Sequence, residues 1–193
     1  MKTFSTLPDQ QLVQLFMNGE TVALDVLVNR HKSRIYTSIY LLVKDKYLAE
    51  DIFQDLFIKI IETLKAGKYK EENKFVVWAI RIGHNLCVDH FRKIKGKPPI
   101  KTIDGKDIFE VLRFNDANAE ENIISRQTNN RIMKLVSQLP EEQREIIILR
   151  HFADLKFREI SNMLDCSVNT ALGRMRYALL NLRKMIEEQR VAI

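Results

Sequence analysis

Apolar residues recur at three- and four-residue spacing along most of the chain, and alternating β-branched runs are few, so the pattern predicts an all-α protein. A short helix is expected near Asp9 to Met17, followed by one from Ala23 to Val43 with Leu24, Leu27, Val28, His31 and Ile35 on one face. A third covers about Tyr47 to Leu64 and a fourth about Lys74 to Lys93. Between these two lies the polar loop Lys65 to Asn73, with Gly67 as its turn residue. The periodicity is lost in KGKPPIKTIDGKD, where Pro98 and Pro99 forbid a helix. It resumes near Glu120, runs to Gln138, and starts again at Pro140 in PEEQREIIILRHF, whose Glu141 and Glu142 suit the positive end of a helix. The expected organisation is two small helical domains, 1–94 and 120–193, joined by a flexible linker over 95–119.

The segment from Phe157 to Ala178 reads as a helix-turn-helix. Ile160 and Leu164 sit four apart on a first helix, and Ser161 is small enough to let a second helix cross closely. Asp165-Cys166-Ser167 breaks the pattern, and the Ser167 hydroxyl can then accept from the free N–H groups of the next helix. In that helix Val168, Ala171, Leu172, Met175, Leu179, Leu182 and Ile186 form the expected buried stripe. Opposite stand Asn169, Thr170, Gly173, Arg174, Arg176 and Tyr177, rich in hydrogen-bond donors and suited to a DNA groove. A solvated polar face is the bland alternative. Against it, no acid occurs from Asn169 to Ile186, whereas ordinary solvated faces mix both signs.

Two helices of the first block carry a second face. On the third, Ala49, Ile52, Phe53, Leu56 and Ile60 point inward, while on the opposite side Asp51, Gln54 and Asp55 surround an exposed Ile58 with two carboxylates and an amide, as protein-binding surfaces do. One stray apolar residue on a solvated face is the other reading of the same four positions. On the fourth helix Phe75, Ala79, Ile82 and Leu86 face one way, and Trp78, Arg81, Asn85 and Arg92 another, just downstream of Lys68, Tyr69 and Lys70. Aromatic rings beside guanidinium groups are what single-stranded DNA binding uses. Trp78 also has an ordinary alternative place in the core.

Composition narrows the classes of partner. A hydrophobic fraction of 46% in 193 residues supports real cores, and the net charge of +6 favours a polyanion. No apolar run is long enough to span a bilayer and the N-terminus lacks the order of a signal peptide, so a cytoplasmic protein with no membrane insertion is expected. Cys87 and Cys166 have no paired spacing and read as reduced thiols. His84 and Cys87 stand three apart without a second pair, so no metal is expected; nor is a cofactor, since no nucleotide-binding glycine loop appears. Without a nucleophile motif the chain has no expected catalytic residue and is not expected to be an enzyme.

With these motifs in order, AEDIFQDLF, then W-x-x-R-I-x-x-N-L-x-x-D-x-x-R, then LPEEQREIIILRHF-x(4)-F-R-E-I, the chain resembles the extracytoplasmic-function sigma factors of bacterial RNA polymerase. The likeness covers about Ala23 to Lys93 and Glu120 to Met185. It implies a sigma factor that binds core RNA polymerase and directs promoter-specific initiation. Asp51, Gln54, Asp55 and Ile58 then correspond to the surface that docks on a basic coiled coil of the largest polymerase subunit. Lys68, Tyr69, Lys70, Asn73, Trp78, Arg81, His84, Asn85 and Arg92 correspond to the part that melts and reads the minus-10 promoter element, capturing an unstacked base. Ser167, Asn169, Thr170, Gly173, Arg174, Arg176 and Tyr177 correspond to the start of the helix that enters the major groove at the minus-35 element. The resemblance further implies a linker that threads the polymerase cleft, promoter DNA as a partner, and commonly an anti-sigma protein. The sequence departs from the family at His84, where Arg is frequent, at Asp165, where Gly is, and at Leu172 and Gly173, which replace Lys and Ser. Two rivals stand beside it: a conventional helix-turn-helix transcription regulator binding palindromes as a dimer, and a helical adaptor that antagonises another sigma factor.

Overall fold

The computed structural model divides into two compact units, Met1–Pro98 and Pro99–Ile193. It describes residues 4–70, 72–94 and 131–188. The expected linker at 95–119 and the start of the helix expected from Glu120 lie outside the described residues.

Among the described residues unit 1 contains four helices, α1 (Asp9–Met17), α2 (Thr21–Val43), α3 (Lys46–Lys65) and α4 (Phe75–Ile94). Helices α2, α3 and α4 pack against one another, and α1 lies mainly along α2. The core is where their apolar stripes meet: Leu12 and Val13 from α1, Leu27, Ile35 and Ile39 from α2, Leu56 and Ile60 from α3, and Phe75 and Ile80 from α4 are all buried. The corner between α2 and α3 is sharp because Lys44 takes a left-handed conformation, φ 58°, and Asp45 then caps α3 by accepting from the Leu48 N–H at 3.0 Å. Gly83 permits a close approach of α4 to its neighbours. A Cβ there would lie 3.1 Å from Leu56 Cδ1 and 3.2 Å from Ile39 Cδ1, so α4 settles on α2 and α3 with little room to spare.

An ionic cluster ties α1 to α2. Asp9 accepts from Arg30 through Oδ1 and pairs with His31 Nε2 through Oδ2 at 2.7 Å, while Arg30 also donates to the Ser5 and Leu7 carbonyls at 2.9 Å each. Burial alone pushes the Asp9 carboxyl upward, but the hydrogen bonds and charges of His31 and then Arg30 outweigh it and hold it below the ordinary value. A lowered carboxyl pKa contributes stability that is complete above the unfolded value near 3.8 and is lost as pH falls through the folded one. Asp9→Asn is therefore expected to cost roughly 1–2 kcal/mol near neutral pH. The gap to wild type should close in strongly acidic buffer, as read from melting curves over a pH series.

Unit 2 contains α5 (131–138), α6 (Glu141–Ile147), a π-helical turn (Ile148–Phe152), α7 (Phe157–Met163) and α8 (Val168–Glu188). PEEQREIIILRHF is thus not one regular α-helix, as its pattern predicts. Four successive apolar residues, Ile146 to Leu149, are all buried. A regular helix would spread them most of the way around its axis, and widening the turn narrows that arc. The register shift is visible in the bond from the Ala153 N–H to the Ile148 carbonyl, 2.9 Å across five residues. Helix α8 packs on α6 and α7 through Ala171, Met175 and Ala178. Among the described residues no helix is long and apolar enough to cross a membrane.

Candidate nucleic-acid interface

Three surfaces carry the residues singled out by sequence. On α3 the buried stripe is Ala49, Ile52, Leu56, Ile60 and Leu64, and Asp51, Gln54, Asp55 and Ile58 are all exposed on the other side. Ile58 is 54% exposed, an apolar centre among these polar neighbours. Behind this face lies an aromatic cluster: Phe53 meets Phe57 edge-on at 4.9 Å between centroids and Tyr36 at 5.6 Å. Burial, and after it Glu50 and Tyr40, push the Tyr36 hydroxyl up to about 12, so it stays neutral at any working pH.

The second surface joins the α3–α4 loop to α4. Gly67 at φ +63° and Asn73 at φ +57° bend the chain at either end of the loop. Lys68 and Lys70 are exposed, whereas Tyr69 between them is half-buried against Trp78, ring centroids 4.4 Å apart. Trp78 is half-buried too, touching both Tyr69 and Phe75 and keeping part of its surface in solvent. Arg81, Asn85 and Arg92 are exposed on the same side of α4. The Arg92 guanidinium stands 3.8 Å from Asp89, and both are too solvated for the pair to hold them firmly.

His84 does not join this surface. It is buried at 6% exposure, because it follows Ile80 by four and precedes Cys87 by three, on the inward stripe with Val76 and Gly83. That stripe is rotated from the one expected through Ile82 and Leu86, both only half-buried. Burial pushes the neighbouring Cys87 thiol up to about 12, the state of an inert core thiol.

The third surface is the helix-turn-helix. Asp165 takes the left-handed conformation, φ 49°, that closes the turn after α7, and Ser167 caps α8: its Oγ accepts from the Thr170 N–H at 2.9 Å. The Thr170 hydroxyl shares a hydrogen bond with the same Oγ at 2.8 Å. Ser167→Ala is expected to lower the melting stability of the chain by about 1 kcal/mol, the usual value of such a cap. Ser161 is buried at the crossing, its hydroxyl donating to the Arg158 carbonyl at 2.9 Å.

Asn169, Thr170, Arg176 and Tyr177 are exposed along the first turns of α8, with Gly173 half-buried beside them. Arg174 is turned away: its guanidinium meets Glu142 of α6 at 2.9 Å and its side chain is only 24% exposed. Asn181 donates to Gln143 at 2.8 Å one step along the same seam. The expected buried stripe of α8 needs correcting as well. Val168, Leu172 and Leu179 are 39%, 45% and 50% exposed, since the contact with α6 and α7 turns on the smaller Ala171 and Ala178. Sequence reasoning also missed Lys156 and Arg158, exposed at the start of α7. In a helix-turn-helix the first helix crosses the DNA backbone, and that rule was the available signal.

Comparison with known proteins fits this order of parts. The family model for Sigma-70 region 2 matches residues 27–96, and the one for Sigma-70, region 4 matches residues 129–182. RNA polymerase sigma-H factor of Pseudomonas aeruginosa is 29% identical over 171 residues, covering 86% of this chain and 88% of the relative. The chain belongs to the extracytoplasmic-function sigma factors. The ECF RNA polymerase sigma factor SigW of Bacillus subtilis is 26% identical over 174 residues, 88% of this sigma factor and 92% of the relative. Its fold is shared with CnrH, solved in complex with the cytosolic domain of CnrY, at TM-score 0.67 and 21% identity over 94% of this chain and 99% of that one. It is shared too with RpoE of Bartonella quintana, solved with the anti-sigma factor NepR, at TM-score 0.64 and 15% identity over 85% and 96%. The sigma factor's region 2 match ends inside unit 1 and its region 4 match lies wholly within unit 2.

Proposed function

We propose that this sigma factor divides promoter recognition among its three surfaces. In this reading α3 docks core RNA polymerase through Asp51, Gln54, Asp55 and Ile58, a carboxylate rim around an exposed apolar centre. The α3–α4 loop with Trp78, Arg81, Asn85 and Arg92 receives the melted strand of the minus-10 element, and the exposed start of α8 enters the major groove at the minus-35 element. The observation that carries the reading is the pairing of a capped reading helix with no acid from Asn169 to Ile186 in one unit with a basic aromatic surface in the other. Each offers few contacts alone. Holding both on one polymerase multiplies their affinities through effective concentration, so the free protein binds promoters poorly. Residues 1–94 thus serve docking and melting, 120–193 serve minus-35 recognition, and 95–119 link them inside the polymerase. The work proceeds in the cytoplasm without bond chemistry from this chain, which supplies stacking surfaces and charge. An anti-sigma protein, common in this class, is the third partner. A conventional dimeric regulator is disfavoured because both halves of the chain match sigma regions.

Photocrosslinking tests the assignment position by position. In the assembled holoenzyme a probe at residue 58 is expected to reach polymerase, one at residue 85 the minus-10 strand and one at residue 177 the minus-35 duplex. A probe at 85 that reaches only polymerase, or one at 177 that reaches only protein, contradicts it.

A further inference from the structure

We infer, resting on the assignment of the α3–α4 loop to the minus-10 element, that Tyr69 is a positioning residue: its ring clamps the loop onto Trp78 and so presets the shape that reads a DNA base. Three observations lead there. The loop's two ends are bent at Gly67 and Asn73, both at positive φ, and Gly67 is further fixed by its N–H donating to the Leu64 carbonyl at 3.0 Å. Between these bends the exposed Lys68 and Lys70 flank the half-buried Tyr69, so residues 68–70 show charge outward and one ring inward. That ring meets Trp78 at 4.4 Å, its hydroxyl oxygen is buried, and the contact continues through Phe75 at 6.0 Å to His31 at 6.1 Å.

The loop is thereby tied through Trp78 to the packed interior of the bundle, since Phe75 is 2% exposed. A loop held in this way loses less freedom when a base enters it, and preorganisation of that kind sharpens discrimination between right and wrong bases. Tyr69 thus acts through Trp78 and the loop backbone and makes no base contact itself. Its neighbours have a different task. Lys68 and Lys70 supply charge for phosphate, which carries no sequence information.

Trp78 is the chain's single tryptophan, so its emission reports the contact directly. The experiment assembles the full-length protein with core RNA polymerase and measures initiation from a promoter and from the same promoter with one base changed in the minus-10 element. Tyr69→Ala is expected to red-shift Trp78 emission and reduce the matched-to-mismatched ratio roughly three- to tenfold, the range an aromatic pair supplies. Tyr69→Phe keeps the ring and is expected to restore both wild-type values. Lys68→Ala/Lys70→Ala is expected to weaken initiation at both promoters alike. An unchanged ratio in Tyr69→Ala, with emission shifted and the lysine variant weakened, overturns the clamp alone. No weakening in the lysine variant overturns the placement of the loop on DNA, and the clamp with it.

Discussion

Reversing two charges on α3, with Asp51→Arg/Asp55→Arg, is expected to abolish association with core RNA polymerase while the chain stays folded. Both carboxylates are exposed on the side of α3 opposite its buried stripe, so neither supports the core. Their expected partner surface is basic. Like charges set against each other across an interface cost several kcal/mol, so affinity should fall by about a hundredfold or more. Co-migration with core polymerase in gel filtration reads the loss, and circular dichroism confirms that the helices survive. Wild-type association by the double variant would remove α3 from the docking surface.

The second large effect separates two arginines that the sequence places side by side. Arg176→Ala is expected to reduce initiation at minus-35-dependent promoters roughly ten- to a hundredfold, the range for one well-placed guanidinium on a base edge. Its melting temperature should not move, because Arg176 is exposed. Arg174→Ala should behave in the opposite sense. Its guanidinium is held by Glu142 across the α6–α8 seam, so the substitution removes a tie between helices. A stability loss of up to about 1 kcal/mol is expected, with a smaller change in promoter use. Initiation assays and melting curves on the two single variants decide it. Equal losses of initiation with equal melting temperatures would put both arginines on DNA.

The helices of unit 1 were legible from period alone. α1 falls on Asp9–Met17 as its pattern predicts, and α3 and α4 begin and end within a residue of their expected bounds. The turn of the helix-turn-helix was legible for a chemical reason: Asp165 tolerates a left-handed backbone and Ser167 carries a capping oxygen. What period cannot give is the phase of a stripe when large and small apolar residues compete for the contact. On α8 the alanines at 171 and 178 let the neighbouring helices come close, and this leaves Leu172 and Leu179 at the surface. On α4 the absence of a side chain at Gly83 draws the helix inward on that side and takes His84 with it into the core. The tie between Arg174 and Glu142 spans 32 residues of sequence, and the Tyr69–Trp78 contact joins a loop to a helix face. No local pattern encodes such tertiary pairings. The π-helical turn at Ile148–Phe152 was hidden for the converse reason, as its local sequence is also that of an ordinary buried helix.

Run-off transcription with purified components shows whether this chain directs core RNA polymerase to promoters. Candidate templates are recovered by sequencing transcripts made on fragmented genomic DNA. Promoter-dependent transcripts are expected only when the protein is added to core polymerase, absent with Asp51→Arg/Asp55→Arg and reduced or redirected with Arg176→Ala. No association of the wild type with polymerase, together with tight binding of palindromic duplex as a dimer, would contradict it.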